Sequence, residues 1–126
     1  MTPPPKRILL IDDEPEVQDL LTLFLKIRGY EGHLAHNGEE GIEMAKKLLP
    51  DLILLDIMMP KVDGFLVQET LKQDPAASKI PIIFITAKAE PENAQKAISA
   101  VAKAYIEKPF DLNTLTETIH SVLGQS

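Results

Sequence analysis

Short apolar runs alternate along the chain with segments in which apolar residues recur every three or four positions. Each run is apolar without interruption, which is typical of parallel strands that helices cover on both faces. A weaker alternation of apolar and polar residues from Tyr30 to His36 predicts a further strand nearer the edge of the sheet. The uninterrupted runs are Ile8 to Ile11, Leu52 to Leu55, Ile82 to Ile85 and the shorter Ala104 to Ile106.

The intervening segments predict helices. The first has apolar residues at helical spacing from Val17 to Leu25, with Pro15 in its first turn and Gly29 just past its end. The last repeats this spacing from Leu112 to Leu123, with Asp111 as its N-cap. Three more helices are predicted at Glu39 to Leu49, at Gly64 to Gln73 and, opened by Pro91, in the alanine-rich stretch from Ala87 to Ala104.

Strands and helices that alternate in this way indicate the α/β class, with right-handed crossovers between the strands. We therefore predict a (βα)5 fold, which is a doubly wound sheet of five parallel strands. Ligands of such sheets bind beyond the carboxyl ends of the strands, where the strand order reverses. The chemistry of this protein is expected at that edge.

Composition fits this fold and excludes several other classes. The length predicts a single domain over residues 1–126, in which residues 1–5 form a polar lead-in. With 44% hydrophobic and 25% charged residues, the chain is globular rather than disordered. The apolar runs are too short to cross a membrane or to form the core of a signal peptide.

Charge and cysteine content narrow the function further. The net charge of −6 and the lack of a basic cluster in the sequence argue against direct binding to nucleic acid. The chain has no cysteine, which excludes thiol catalysis, thiolate metal ligands and disulfides. This composition is compatible with a reducing compartment, and we expect a cytoplasmic protein without membrane contact.

Polar residues of particular kinds stand where the apolar runs end. They are Asp12 and Asp13 after the first run, Asp56 after the third strand, Thr86 after the fourth, and Lys108 beyond the fifth. Because the carboxyl ends of parallel strands meet at one edge, we expect these side chains to converge. The carboxylates would repel one another by roughly 1–4 kcal/mol per pair, so a divalent cation is needed to hold them together.

Oxygen ligands favour a hard, partly hydrated cation, and they suit Mg²⁺ better than zinc. We expect Asp13 and Asp56 to bind Mg²⁺, together with Asp12, directly or through water, and the backbone carbonyl of Met58. Lys108 adds a positive charge on the opposite side. A metal ion and a lysine facing one carboxylate are what phosphoryl transfer requires, since negative charge spreads over the transferred group. Asp56 is the candidate nucleophile, forming an aspartyl phosphate, because it lies centrally.

The motifs LLIDDEPEV, LILLDIMMPKVDG, IIFITAK and AYIEKPF occur in this order, and together they resemble the receiver domain of bacterial response regulators. The resemblance extends over residues 6–124. It implies a flavodoxin-like three-layer sandwich with strand order 2-1-3-4-5. The chain departs from the family at Val101, where a glycine usually precedes the fifth strand.

The resemblance also implies roles for the residues at this edge. Asp12 and Asp13 would hold Mg²⁺, and Asp56 would accept a phosphoryl group from a histidine kinase. Thr86 would donate a hydrogen bond to that group, and Lys108 would pair with it.

A conformational response is implied as well. Thr86 would move inward on phosphorylation, and Tyr105, the aromatic switch, would fill the space that it leaves. The peptide bond between Lys108 and Pro109 would be cis.

These roles describe a phosphorylation-dependent signalling switch of a two-component system. It would change the face formed by the fourth helix, the fifth strand and the fifth helix, and so control a partner protein. The expected partners are a histidine kinase or phosphotransfer protein and an unidentified output protein or domain. We expect a monomer or a phosphorylation-dependent dimer that catalyses only its own phosphorylation and dephosphorylation.

Other functions remain open from the residues alone. A flavin-binding electron carrier needs a phosphate-cradling loop after the first strand, where the acidic residues would repel the phosphate. A phosphatase of the haloacid-dehalogenase type needs aspartates at i and i+2, whereas Asp12 and Asp13 are adjacent and are expected on opposite faces. A receiver-like module could signal without phosphorylation, although it would not need the full set of acids, Thr86 and Lys108. Asp13 taken alone also suits the N-cap of the first helix.

Overall fold

The computed structural model describes residues 4–57, 64–87, 104–108 and 110–124, apart from the side chains of Thr86, Ala87, Ala104 and Lys108. Its strands are β1 (Arg7–Ile11), β2 (Glu31–Ala35), β3 (Leu52–Asp56), β4 (Ile82–Ala87) and β5 (Ala104–Lys108). The helices of the described residues are α1 (Pro15–Ile27), α2 (Gly38–Leu48), α3 (Gly64–Lys72) and a C-terminal helix (Leu112–Leu123), with a 3₁₀ turn at Ala77–Lys79.

The five strands form one parallel sheet in the order β2-β1-β3-β4-β5, as predicted. Strand β1 therefore pairs with β2 on one side and with β3 on the other. Its last residue, Ile11, lies beside Leu55, and Asp56 in the next position of β3 lies beside Ile85 of β4. The sheet thus brings the ends of β1 and β3 together at one edge.

The core lies on both faces of the sheet, which explains why the central strands carry no polar residue within their apolar runs. On one face, Leu9, Ile53 and Phe84 pack with buried residues of α2 and α3. On the other face, the alternate strand residues pack with α1 and the C-terminal helix, whose buried side chains include Leu21 and Leu115. The three-layer sandwich predicted from the sequence is confirmed.

Several helix boundaries follow from single residues that the sequence marks. Helix α1 begins at Pro15, and Gly29 beyond its end has a φ of +86°, a conformation that costs glycine little. The side chain of Asp111 caps the C-terminal helix by accepting from the Asn113 amide at 2.6 Å. The alternative that Asp13 is the N-cap of α1 is wrong, because Glu14 occupies that position.

The alanine-rich stretch marks a limit of the described structure. Its predicted helix, including Pro91 and Val101, lies outside the described residues, and so does Pro109. The two end residues of that stretch belong to strands rather than to a helix, with Ala87 closing β4 and Ala104 opening β5. Among the residues that are described, no helix has both the length and the apolar character needed to span a membrane.

Candidate metal and phosphoacceptor site

Three aspartates meet at the carboxyl edge of the sheet. Asp12 and Asp13 follow β1, and Asp56 is the last residue of β3. One carboxylate oxygen from each of them lies within 4.8 Å of the other two. Asp12 and Asp56 are buried, with exposed fractions of 0% and 1%, and Asp13 is half-buried. The predicted convergence of the carboxylates is therefore present in the structure.

The topology of the sheet explains this convergence. The pairing of β1 with β3 is parallel and in register, so the residues that follow Ile11 and Leu55 arrive at the same height. The chain leaves β1 through α1, on one face, and leaves β2 through α2, on the other. Because these helices lie on opposite faces, a crevice forms at the edge of the sheet beyond the carboxyl ends of β1 and β3.

The turn after β1 is held by hydrogen bonds at the backbone and side chain of Asp12. The Asp12 amide donates to the carbonyl oxygen of Ala35 at 3.2 Å, which ties the turn to β2. The Glu14 amide donates to Asp12 Oδ1 at 2.8 Å. Because the strand ends at Ile11, side-chain alternation does not carry on to the next two residues. An oxygen of Asp12 and an oxygen of Asp13 lie within 4.8 Å of each other, so the expectation that these side chains diverge to opposite faces is wrong.

The electrostatics of the cluster favour a bound cation. Carboxylates at this separation repel one another, and burial strengthens the repulsion because it lowers the local dielectric. Oδ1 of Asp13 is buried and has no hydrogen-bond partner among the described residues. A buried carboxylate oxygen in that position is costly unless a cation or donor meets it. The carboxylates offer only oxygen, so the site fits a hard cation such as Mg²⁺.

Gly64 lets helix α3 start against the backbone that carries Asp56. Its amide donates to the Ile57 carbonyl oxygen at 3.1 Å. A Cβ atom at this position would lie 2.7 Å from Ile57 Cα and 2.8 Å from the Asp56 carbonyl oxygen. Both neighbours are backbone atoms, so only glycine fits without a shift of the strand end. The sequence contains a signal for this residue, since Gly64 closes the motif LILLDIMMPKVDG.

Like Gly64, Gln18 contacts the site, and the sequence pattern did not single it out. Its Nε2 donates to the backbone carbonyl oxygen of Asp12 at 2.7 Å, and the side chain is buried. The available signal was its place in the apolar stripe of α1, three and seven residues before Leu21 and Leu25. A polar residue in such a stripe needs a hydrogen-bond partner.

The other predicted site residues lie partly or wholly outside the described residues, apart from Tyr105. Thr86 and Lys108 belong to the carboxyl ends of β4 and β5, where Thr86 pairs with Glu107. Their side chains, and the whole of Met58, lie outside the described residues. Tyr105 lies on β5 beside Phe84 and is 39% exposed, so it is not a core residue.

Comparison with known sequences identifies a family for most of the chain. The model of the response regulator receiver domain matches residues 8–120. The DNA-binding dual master transcriptional regulator RpaA of a Synechocystis strain is 38% identical over 120 residues, which is 95% of this chain and 50% of the relative. Protein PilH of Pseudomonas aeruginosa is 37% identical over 118 residues, 94% of this chain and 98% of PilH. The chain thus spans about half of RpaA and almost all of PilH.

Solved structures give the same result. A crystal structure of a putative response regulator from Chloroflexus aurantiacus superimposes with a TM-score of 0.88 at 30% identity, covering 96% of this chain and 99% of its own. The receiver domain of the sensor histidine kinase PA1611 from Pseudomonas aeruginosa also gives a TM-score of 0.88, at 26% identity and the same coverage. That structure has a magnesium ion coordinated in its active site cleft.

Proposed function

Because the chain belongs to the response regulator receiver family, whose members are phosphorylation-dependent switches of two-component signalling, we propose that it carries its phosphoryl group on Asp56. The observation that supports this assignment is the buried cluster in which an oxygen of Asp56 lies within 4.8 Å of oxygens of Asp12 and Asp13. Of the three, only Asp56 lies on the strand in the middle of the sheet.

The proposed reaction is a transfer between two side chains. An oxygen of Asp56 attacks the phosphorus of a phosphohistidine, and the phosphorus–nitrogen bond breaks. The nitrogen keeps the electron pair and takes up a proton, and the phosphoryl group remains on Asp56 as an acyl phosphate. Burial of Asp56 limits the access of water to the new bond.

We assign the metal ligands to this chain's own carboxylates. Asp13 and Asp56 would hold Mg²⁺ with Asp12 and the Met58 carbonyl, because their oxygens supply the hard donors that the ion prefers. When bound, Mg²⁺ would offset part of the negative charge of the carboxylates and of the phosphoryl group.

The remaining roles concern the response to phosphorylation. Thr86 would donate a hydrogen bond to the phosphoryl group and Lys108 would pair with it, since both lie on strands that end at the same edge as Asp56. Tyr105 would change position in response. Its partial exposure leaves its ring accessible to a partner, which favours a role in signalling over one in packing.

The proposed partners are a histidine kinase or phosphotransfer protein that donates the phosphoryl group and an output protein or domain that recognises the altered face. We place this exchange in the cytoplasm, and we propose a monomer or a phosphorylation-dependent dimer. In this scheme the protein catalyses only the gain and loss of its own phosphoryl group. Direct contact with nucleic acid or membrane has no role in it.

Labelling by acetyl phosphate in the presence of Mg²⁺ tests the assignment of Asp56. Asp56→Asn removes the nucleophilic oxygen at nearly constant volume, and we expect it to abolish the labelling, measured as a gain of one phosphoryl group by intact mass spectrometry. Asp19→Asn makes the same change at an exposed position of α1 and should be labelled like the wild type. Base-labile labelling that persists in Asp56→Asn would reject the proposal.

A further inference from the structure

Gln18 is a buried amide within an apolar helix face. Only 9% of the residue is exposed, and its neighbours on that face, Leu21 and Leu25, are core residues. Burying an amide costs free energy unless its polar atoms are bonded. The hydrogen bond of 2.7 Å from Nε2 to the carbonyl oxygen of Asp12 offsets this cost.

The carbonyl that accepts this bond belongs to the peptide between Asp12 and Asp13. A peptide group is planar, so fixing its oxygen also fixes the direction in which the chain reaches Asp13. The preceding peptide is fixed as well, because the Asp12 amide donates to Ala35. Gln18 therefore helps to fix the peptide link between the two neighbouring carboxylates, just beyond the end of β1.

We propose that Gln18 is a positioning residue for the Mg²⁺ site, and the inference rests on the proposed function, which requires that ion. Asp12, Asp13 and Asp56 repel one another at their separation of 4.8 Å or less, so their turn must resist opening before the ion arrives. The bond from Gln18 adds to that resistance at the carbonyl oxygen of Asp12, beside the bonds that the Asp12 and Glu14 amides donate. Groups that orient metal ligands from outside the coordination sphere change metal affinity by about 10–100-fold.

Substitution by methionine tests this role, because Gln18→Met keeps the length of the side chain and removes the donor. We expect the dissociation constant for Mg²⁺, measured by calorimetric titration with MgCl₂, to rise about tenfold. In Mg²⁺-free buffer, the backbone amide resonances of Asp13 and Glu14 should also shift, since the peptide before them is no longer held. This second readout does not depend on the ion.

Two control variants separate positioning from general loosening of the fold. Leu21→Val trims a buried side chain of the same helix and should lower the melting temperature while leaving Mg²⁺ affinity unchanged. Gln73→Met makes the same chemical change at an exposed position beyond α3 and should leave both quantities unchanged.

The outcomes distinguish this inference from the proposed function. Weaker Mg²⁺ binding confined to Gln18→Met supports the positioning role. Equal binding by Gln18→Met and wild type overturns that role alone, and so does an equal loss of affinity in Leu21→Val. Failure of the wild-type protein to bind Mg²⁺ would overturn the proposed function, and the inference would fall with it.

Discussion

Gly64 illustrates how one residue without a side chain shapes the proposed phosphoacceptor site. Its Cα lies so close to the end of β3 that any Cβ would press on the backbone of Asp56 and Ile57. Backbone atoms of a central strand cannot move aside as the tip of a flexible side chain can. The position of Asp56 therefore depends on a glycine eight residues further along the chain.

We predict that Gly64→Ala destabilises the protein by about 1–3 kcal/mol, as overpacking in a rigid environment does. The free energy of unfolding in urea measures the effect, and Mg²⁺-dependent labelling of Asp56 should slow as well. Gly32→Ala is the matched control, because among the described residues its Cβ would meet the side chain of Leu25 alone, at 3.4 Å. Equal stability of the two variants would contradict the close approach at Gly64.

At the scale of elements, the start of a helix decides which of the neighbouring candidate site residues stay outside it. Helix α1 starts at Pro15, immediately after the acidic turn, so Asp12 and Asp13 stay outside the helix. The C-terminal helix starts after Asp111, whose side chain accepts from the amides of Asn113 and Thr114 at 2.6 and 3.4 Å. This cap lies three residues beyond Lys108, the end of β5.

We predict that Asp111→Ala lowers the free energy of unfolding by about 1 kcal/mol, because the first amides of the C-terminal helix lose their acceptor. Asp111→Asn keeps an acceptor oxygen of similar reach and should retain most of the stability. The midpoint of urea unfolding compares the two variants. An Asn variant as unstable as the Ala variant would show that charge rather than capping is responsible.

At the scale of the whole molecule, the sheet connects the acidic cluster to β5, which carries the exposed Tyr105. Ile85 of β4 lies beside Asp56 of β3, and the next residue of β4, Thr86, lies beside Glu107 of β5. A hydrogen bond to a charged group contributes about 1.5–3 kcal/mol, whereas a shift from 1:99 to 99:1 needs about 5.5 kcal/mol. The proposed bond from Thr86 alone is therefore insufficient. Either the proposed pairing of Lys108 with the phosphoryl group contributes too, or the active state is already appreciably populated before phosphorylation.

We predict that Thr86→Ala still accepts a phosphoryl group on Asp56 but loses most of its conformational response. The response is measured as the change in the amide resonances of β5 and the C-terminal helix when beryllofluoride and Mg²⁺ are added. Thr70→Ala removes a hydroxyl that donates within α3, at 2.8 Å to the Leu66 carbonyl oxygen, and should respond like the wild type. Loss of labelling itself in Thr86→Ala would contradict this division of roles.

The sequence by itself determined the five strands, the four α-helices that the structure describes and the identity of the acidic residues. Uninterrupted apolar runs specify strands buried on both faces, since any charged residue within them would be desolvated. Pro15, Gly29 and Asp111 mark helix ends because each acts on the backbone near its own position. The aspartates could be assigned to one edge because parallel strands all end on the same side.

Tertiary structure alone decided how these acids are held. The distance of 4.8 Å or less between their oxygens depends on the pairing of β1 with β3, whose residues are far apart in the chain. The bond from Gln18 and the close approach of Gly64 depend on how α1 and α3 are placed against the ends of those strands. A pattern of apolar and polar residues gives the period of a helix and the face that it buries. It does not give the ångström-scale separation between elements, which the packing of all side chains sets together.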